Sequence, residues 1–222
     1  MKKITLAIIL LFSSLSVASA DLGVNVGFSG QVGVFHAAGK ETVNNTAGAD
    51  HVATEDATGV AGYNSFFIEK TLGRFITVGY DYVMDTLASD TAENTQEECF
   101  GTQTSCTSHT NKVQVDFEDF TTLYVALNIT ENLYVKMGTM TVDVLTNEVM
   151  GATDEKSSYG NVSMDGDMYG IGFNKTFDNS MFLRVEATRM DFDGVKLTSG
   201  DNTLQMKDFE GGSAKVSVGK SF

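Results

Sequence analysis

The clearest signal in the chain is an alternation of apolar with small or polar residues. Over positions 22–34 the even residues are leucine, valine or phenylalanine with one glycine, and the odd residues are glycine, serine, asparagine or glutamine. Because a β-strand points successive side chains to opposite faces, this pattern predicts a strand with one apolar and one polar face.

The same alternation recurs along the chain and predicts eight strands in all. They lie at about 22–35, 63–72, 75–84, 112–130, 133–143, 167–177, 181–192 and 213–222, and the last could begin as early as Leu204. We expect 112–130 to keep one register throughout. That register places Val113, Val115 and Phe117 on the same apolar face as Leu123 and Val125.

The connections between the predicted strands alternate between short and long. Short turns lie at 73–74, 130–132 and 178–180, and long polar connections lie at about 36–62, 85–111, 144–166 and 193–203. Such alternation is typical of transmembrane barrels of the bacterial outer membrane. Lipid cannot hydrogen-bond a free strand edge, so all eight strands must close on themselves. The sequence therefore predicts an all-β fold, an eight-stranded antiparallel up-and-down transmembrane barrel, with a secreted soluble β-sandwich adhesin as the alternative.

The first twenty residues have the features of an export signal. Lys2 and Lys3 precede an apolar stretch, 4–12, and the segment ends on small residues at 18–20. This order is typical of a secretory signal peptide, and the apolar stretch is shorter than the ~18–20 residues of a spanning helix. We expect a signal peptide at 1–20 and a barrel domain at 21–222.

Composition narrows the possible partners. The chain is 42% hydrophobic and 20% charged and contains no proline, which excludes a disordered or proline-rich protein. Lys and Arg number 15 against 29 Asp and Glu, a net charge of −14, which becomes −16 when Lys2 and Lys3 leave with the signal peptide. This is the wrong sign for binding phosphate backbones, so we expect no nucleic-acid partner.

The only two cysteines, Cys99 and Cys106, lie close together in a polar segment. In an exported protein such a pair is expected to form a disulfide. Metal binding by the pair is the weaker alternative, since a zinc site needs four ligands and His109 is the only nearby addition.

Charged residues on the polar faces of the strands are the candidate functional residues. If the apolar faces meet lipid, the opposite faces fill a lumen that in an eight-stranded barrel is just wide enough for side chains. Buried charges there must be paired, so we predict one polar network, which would act as a gate or narrow ion path or, as we expect, form a satisfied core. Its members are three anions and three cations: Glu69, Asp81, Lys136, Arg184, Glu186 and Lys215.

Aromatic residues on the outward faces are expected at two levels. Two such girdles mark the interfaces of a membrane barrel. The predicted members are Tyr80, Tyr82, Phe117 and Tyr169 near the long connections, and Phe177 and Phe222 near the short turns.

Catalytic and cofactor-binding patterns are weak. His36, His51 and His109 lie in long connections or at a strand tip, where a lipid-A-modifying enzyme would need a histidine beside a loop serine. The acidic segments lack the spacing of a calcium loop, and neither a phosphate-binding glycine loop nor a zinc signature is present. We expect no enzyme activity, no cofactor and no metal.

Several segments resemble the OmpA-type small outer-membrane β-barrel superfamily. They are the run 169–173, the turn 178–180, the run 181–186 and the terminal Phe222. The resemblance is one of pattern over the whole mature chain. It implies a monomer in the outer membrane, in contact with its lipid and lipopolysaccharide, with a structural or surface-interaction role; a narrow porin-like channel is the alternative.

The resemblance also implies an assembly signal in the last strand. In such families the barrel-assembly machinery reads a terminal aromatic residue and alternate apolar residues before it. Val216, Val218 and Phe222 match this signal. Lys220 departs from it, because an aromatic or apolar residue is common at that place.

Overall fold

The structure, a computed structural model, describes residues 23–43, 51–100, 105–149, 159–200 and 202–222. The predicted signal peptide lies outside them. No helix among these residues is long and apolar enough to cross a membrane.

The described residues form eleven strands that pair antiparallel. They are β1 (Val24–Val43), β2 (His51–Leu72), β3 (Ile76–Val83), β4 (Leu87–Ala88), β5 (Ala92–Phe100), β6 (Ser105–Asn128), β7 (Leu133–Val149), β8 (Val162–Thr176), β9 (Met181–Phe192), β10 (Val195–Ser199) and β11 (Asn202–Ser221).

Eight of these strands form a closed ring in the order β1, β2, β3, β6, β7, β8, β9 and β11. The ring closes where β11 pairs with β1, and two backbone hydrogen bonds between Val24 and Phe222, 2.8 and 3.2 Å long, fasten its end. The predicted eight-stranded barrel is confirmed. A sandwich of two separate sheets is not what the chain forms.

Short turns connect the ring strands at one end of the barrel, at 73–75, 129–132 and 177–180. We call this the turn end and the opposite end the loop end. Gly73 and Ser180 adopt φ angles of +69° and +63° there, a left-handed conformation that tight turns require.

At the loop end the strands run further than the sequence predicts. β1 and β2 pair as far as Val43 and His51, so most of the expected loop 36–62 is a hairpin. β5 and β6 form another hairpin inside the expected loop 85–111. The predicted bounds of these long connections were wrong because both faces of these strand segments carry mainly polar or small residues, so the alternation disappears although the pairing continues.

β6 contains a bulge that the alternation in the sequence does not predict. Its register with β7 shifts between Glu118 and Thr121, and Asp119 adopts a φ of +50°. An extra residue in a strand of period two exchanges its faces. Phe117 therefore packs against the interior, whereas Leu123 points outward. The predictions that 112–130 keeps one register and that Phe117 faces outward were wrong.

β11 contains a second bulge of the same kind. Asp208 has a φ of +52°, and the register with β1 shifts beside it. Met206 and Phe209, on either side of Asp208, both pack inward. The rings of Phe209 and Phe117 stack with centroids 5.6 Å apart, so the two bulged strands meet across the interior.

The two ends of the barrel have opposite polarity. Towards the turn end, Ile171 and Val185 point outward and are 51% and 52% exposed, as expected for a face that meets lipid. Towards the loop end, the outward positions of the same strands carry Asp167 and Asp191. The interior there is a cluster that we call the apolar plug: Tyr63, Val83, Phe120, Met140, Val142, Val144, Met164, Met168, Met190, Phe192 and Phe209, and Tyr124 packs against it from the side of the turn end.

Candidate functional site

The barrel interior between the turn end and the apolar plug holds all six charged residues that the sequence singled out. They come from β2, β3, β7, β9 and β11, and each is less than 9% exposed. The structure brings them together as three ion pairs of opposite charge: Glu69 with Arg184, Glu186 with Lys136, and Asp81 with Lys215.

Glu69 and Arg184 form the pair nearest the turn end. The Arg184 guanidinium donates two hydrogen bonds, one to each carboxylate oxygen of Glu69, at 2.6 and 2.9 Å. The Tyr124 hydroxyl donates a third at 2.6 Å, and the Asn25 amide a fourth at 3.2 Å. This bidentate geometry with added donors offsets the cost of removing the charges from water.

The other two pairs lie closer to the plug. The ammonium nitrogen of Lys136 is 2.5 Å from Glu186 Oε1, and Lys215 donates to Asp81 across the ring. β9 and β11 place Glu186 and Lys215 directly opposite each other. The two pairs are therefore neighbours, and no charge of the six is left without an opposite partner.

Aromatic rings complete the lining at this level by lying over glycines of neighbouring strands. The Tyr124 ring covers Gly79 and the Tyr134 ring covers Gly172, so that a Cβ on either glycine would overlap the ring. The Arg184 guanidinium lies 5.3 Å from the centre of the Tyr134 ring. The lumen is narrow enough that only glycine leaves room for these rings.

A small cavity of about 30 Å³ separates the ion pairs from the apolar plug, with Lys136, Lys215, Phe120 and Met168 among its lining residues. A water molecule needs roughly 10–15 Å³ by this measure. The cavity can hold one or two waters but not a hydrated ion.

A larger cavity of about 840 Å³, which we call the vestibule, lies at the turn end. Its wall is mostly amides and hydroxyls, and it reaches inward as far as Glu69, Tyr134 and Arg184. The interior is therefore wide at one end and closed at the other. The plug was not predicted from the sequence, although the alternating apolar residues Met140, Val142 and Val144 were a signal for it.

The outward aromatic residues lie at the two ends of the apolar band. Tyr169, Phe177 and Phe222 are about half exposed, at 51%, 49% and 49%. Tyr82 is exposed and Tyr80 half-buried on the same outer face. Phe117 is the exception, for the reason given above.

The last strand presents its expected recognition residues on the outer face. Val216 and Val218 are each 50% exposed. The Lys220 ammonium lies 5.3 Å from the centre of the Phe222 ring, so the lysine that departs from the family pattern lies beside the terminal aromatic residue.

The structure does not bring the remaining candidate residues, the cysteines and histidines, together in one site. The backbone places Cys99 opposite Cys106 in the β5–β6 hairpin, but their side chains lie outside the described ones, and the disulfide stays a prediction. The His36 ring nitrogen Nδ1 lies 3.2 Å from the Thr58 hydroxyl. The side chains of His51 and His109 are also outside the described ones, and no metal-binding cluster occurs in the part of the chain that is described.

Comparisons with known proteins support the fold and do not identify a specific function. No protein-family model matches the sequence, and no curated protein matches it. Among solved structures, the outer membrane protein OprG from Pseudomonas aeruginosa aligns with a TM-score of 0.53 at 11% identity, over 93% of this chain and 99% of that one.

Two further structures align with lower scores. The outer membrane protease OmpT from Escherichia coli gives a TM-score of 0.48 at 9% identity, over 94% of this chain and 99% of that one. The outer membrane protein AlkL gives 0.43 at 14% identity, over 94% of each chain. The closed ring of eight strands and the similarity to OprG show that the chain has the fold of the small outer-membrane β-barrels.

Proposed function

We propose that the protein is a closed barrel of the bacterial outer membrane with a structural or surface-interaction role. The observation that carries the proposal is the closure of the interior. In the part of the chain that the structure describes, the apolar plug and the three ion pairs fill the interior, with a cavity of about 30 Å³ between them. Passage of a hydrated ion would require both layers to move.

The band of outward apolar residues supports a membrane location. Around the ring its members point away from the barrel interior and are 39–61% exposed, as expected of side chains that lipid covers: Phe28, Val32, Leu123, Val125, Met137, Ile171, Phe173, Leu183, Val185, Val216 and Val218. The partners we propose are outer-membrane lipid, lipopolysaccharide and, during biogenesis, the barrel-assembly machinery. We propose a monomer, since the ring leaves no strand of the membrane band unpaired.

Conductance in planar lipid bilayers tests the closed interior. We expect purified barrel to insert, as judged by faster electrophoretic migration when unheated, and to give no stable current steps. A reproducible open channel from correctly inserted protein would contradict the proposal.

A narrow channel is the second candidate, and the vestibule is the observation that favours it. Polar groups line the vestibule from the turn end as far as Arg184 and Glu69. For a continuous path through the barrel, only the ion pairs and the plug would need to open. If the bilayer experiment detects current, Glu69→Gln should change its size or its ion selectivity, because Glu69 lies on the path. Unchanged current in that variant would locate the path elsewhere.

We further propose that the barrel has no catalytic role. His36 contacts a threonine hydroxyl and no acidic side chain in the described structure, so it lacks the orienting carboxylate of an activated base. Incubation of the purified barrel with lipopolysaccharide should release no acyl chains. Release above that of heat-denatured barrel would contradict this.

A further inference from the structure

Three exposed lysines lie together on the outer face of the loop-end strands. β1 and β11 pair Lys40 with Gln205, and β10 and β11 pair Lys196 with the same Gln205. Lys207 lies two residues further along β11 and therefore on the same face. We call these three side chains the lysine patch. Neighbouring strands lie about 4.8 Å apart, so the Cα atoms of Lys40 and Lys196 are about 10 Å apart.

The lysine patch is unusual in an acidic protein because none of its members forms an ion pair with a described residue. The other cations that the structure describes at the loop end are paired: Lys112 with Glu93, and Arg189 with Asp191 and Glu210. The acidic side chains Asp56 and Asp208 border the patch without an ion pair to it. The three ammonium groups outnumber these two carboxylates, so the patch has a local excess of positive charge.

The positions around the lysines carry neutral hydrogen-bonding groups. Thr54 is paired with Lys40, and Thr42 and Thr198 are both paired with Thr203 in the adjacent row. Together with the Gln205 amide, these hydroxyls can bind the oxygens of a sugar, while the ammonium groups bind attached phosphates.

The height of the patch selects which molecules can reach it. The apolar outward positions of β1 end at Val34, which is 50% exposed, and Lys40 lies six residues beyond. At about 3.3 Å per residue and a tilt of about 40°, the patch stands roughly 15 Å above the apolar band. Lipid acyl chains and their ester groups lie below it, and the saccharides of a glycolipid headgroup lie beside it.

We propose that the lysine patch binds a phosphate-bearing saccharide of the outer leaflet, the chemistry of a lipopolysaccharide core. The inference rests on the proposed surface-interaction role and names the partner of one face. It assigns recognition to a strand face of Lys40, Lys196 and Lys207 rather than to a loop.

The test measures binding of a soluble probe to detergent-solubilised full-length barrel by calorimetry. The probe is the phosphorylated oligosaccharide released by complete deacylation of lipopolysaccharide. We compare the wild type with the triple variant Lys40→Gln, Lys196→Gln and Lys207→Gln. A matched triple variant, Arg74→Gln, Lys112→Gln and Lys175→Gln, removes the same charge from exposed positions elsewhere.

The wild type and the matched variant should bind the probe alike, to within about two-fold. The patch variant should bind about 100-fold more weakly, since a lysine near an anionic surface contributes about five-fold. Phosphatase treatment of the probe should abolish the difference between the variants. Equal binding by all three proteins, no binding by the wild type, or equal affinity for inorganic phosphate alone would overturn the inference.

The outcome is separable from that of the proposed function. All three proteins should migrate as folded barrels when unheated and remain silent in planar bilayers. A wild type that is silent in bilayers but does not bind the probe would refute the lysine patch and leave the closed barrel standing. A wild type that conducts and binds the probe would refute the closed barrel and support binding by the lysine patch.

Discussion

At the residue scale, the interior depends on charges that are tolerable only in pairs. Glu69 is 1% exposed and Arg184 8% exposed, a burial that would be costly for either alone. The sequence identified both residues from their place on the polar strand faces. The sequence does not predict that Glu69 binds Arg184 rather than Lys136. Glu69 and Arg184 are 115 positions apart, and the partner depends on how the strands are staggered around the ring.

Removing the negative member of this pair should destabilise the barrel strongly. In Glu69→Gln the Arg184 charge stays buried without its carboxylate, and we expect a loss of about 3–5 kcal/mol in the free energy of unfolding. The measurement is urea unfolding of the barrel in lipid vesicles. Glu131→Gln, at an exposed turn position, is the control and should change the free energy by less than about 0.5 kcal/mol. Equal effects in the two variants would contradict the paired interior.

Glycines beneath the aromatic rings should tolerate no side chain. Gly172→Ala places a Cβ inside the Tyr134 ring, and displacing the ring should cost about 1–3 kcal/mol. Gly62→Ala is the matched control, because its Cβ would meet only one backbone oxygen, at 4.0 Å. Unfolding midpoints in urea would show the difference. If both alanines have the same midpoint, the packing over Gly172 is looser than described.

At the element scale, two single-residue bulges decide which side chains face inward. Without the bulge at Asp119, Phe117 and Phe120 would lie on opposite faces of β6, and with it both pack inward. The bulge at Asp208 does the same for Met206 and Phe209. Each bulge is followed by a single apolar residue, Phe120 or Phe209, before polar or small residues resume, and one apolar residue out of phase does not show that the faces have exchanged.

The left-handed backbone at Asp119 gives a direct test of the first bulge. Asp119→Val should lose about 1–2 kcal/mol in the free energy of unfolding, because a β-branched residue at positive φ is strained. Asp119→Gly should lose less, although it removes the bond from the Tyr82 hydroxyl. Thr121→Val, in the same strand, is the control. A valine at 119 no more costly than one at 121 would show that no bulge is present.

The β5–β6 hairpin carries the remaining prediction at this scale. Cys99 and Cys106 are paired in register, and we expect them to be disulfide-bonded in protein exported to an oxidising compartment. Alkylation under denaturing, non-reducing conditions followed by mass spectrometry should label neither cysteine. Reduction should make the hairpin more sensitive to protease, since the bond is worth about 2–3 kcal/mol for so short a loop. Labelling of both thiols before reduction would contradict the disulfide.

At the scale of the whole molecule, the barrel consists of two zones of opposite polarity. The zone near the turn end is apolar outside and polar inside, as lipid requires. The zone near the loop end is polar outside and apolar inside, as water requires. The same ring of strands is therefore surrounded by lipid at one end and by water at the other. The apolar plug forms because apolar side chains at the water-exposed end pack inward, and the same plug closes the lumen.

Arginine substitution on β8 should locate the boundary between the zones. Ile171→Arg exposes a charge to the apolar band and should cost about 2–4 kcal/mol in the free energy of unfolding from lipid. Asp167→Arg, four residues away on the same face, should cost much less because it lies in the aqueous zone. Refolding yield into vesicles and urea unfolding measure both. Equal tolerance of the two arginines would mean that the band does not end between them.

The sequence by itself determined the number of strands in the ring, the short turns, the six buried charges and the lipid-facing positions outside the bulged part of β6. These follow from period-two alternation, which depends only on neighbouring residues, as in 22–34 and 181–187. The tertiary structure alone decided the partner of each charge, the extent of the loop-end hairpins, the two bulges and the apolar plug. These depend on the stagger of strands far apart in the chain, and on which solvent surrounds each level of the ring, and neither is encoded in the alternation of a single strand.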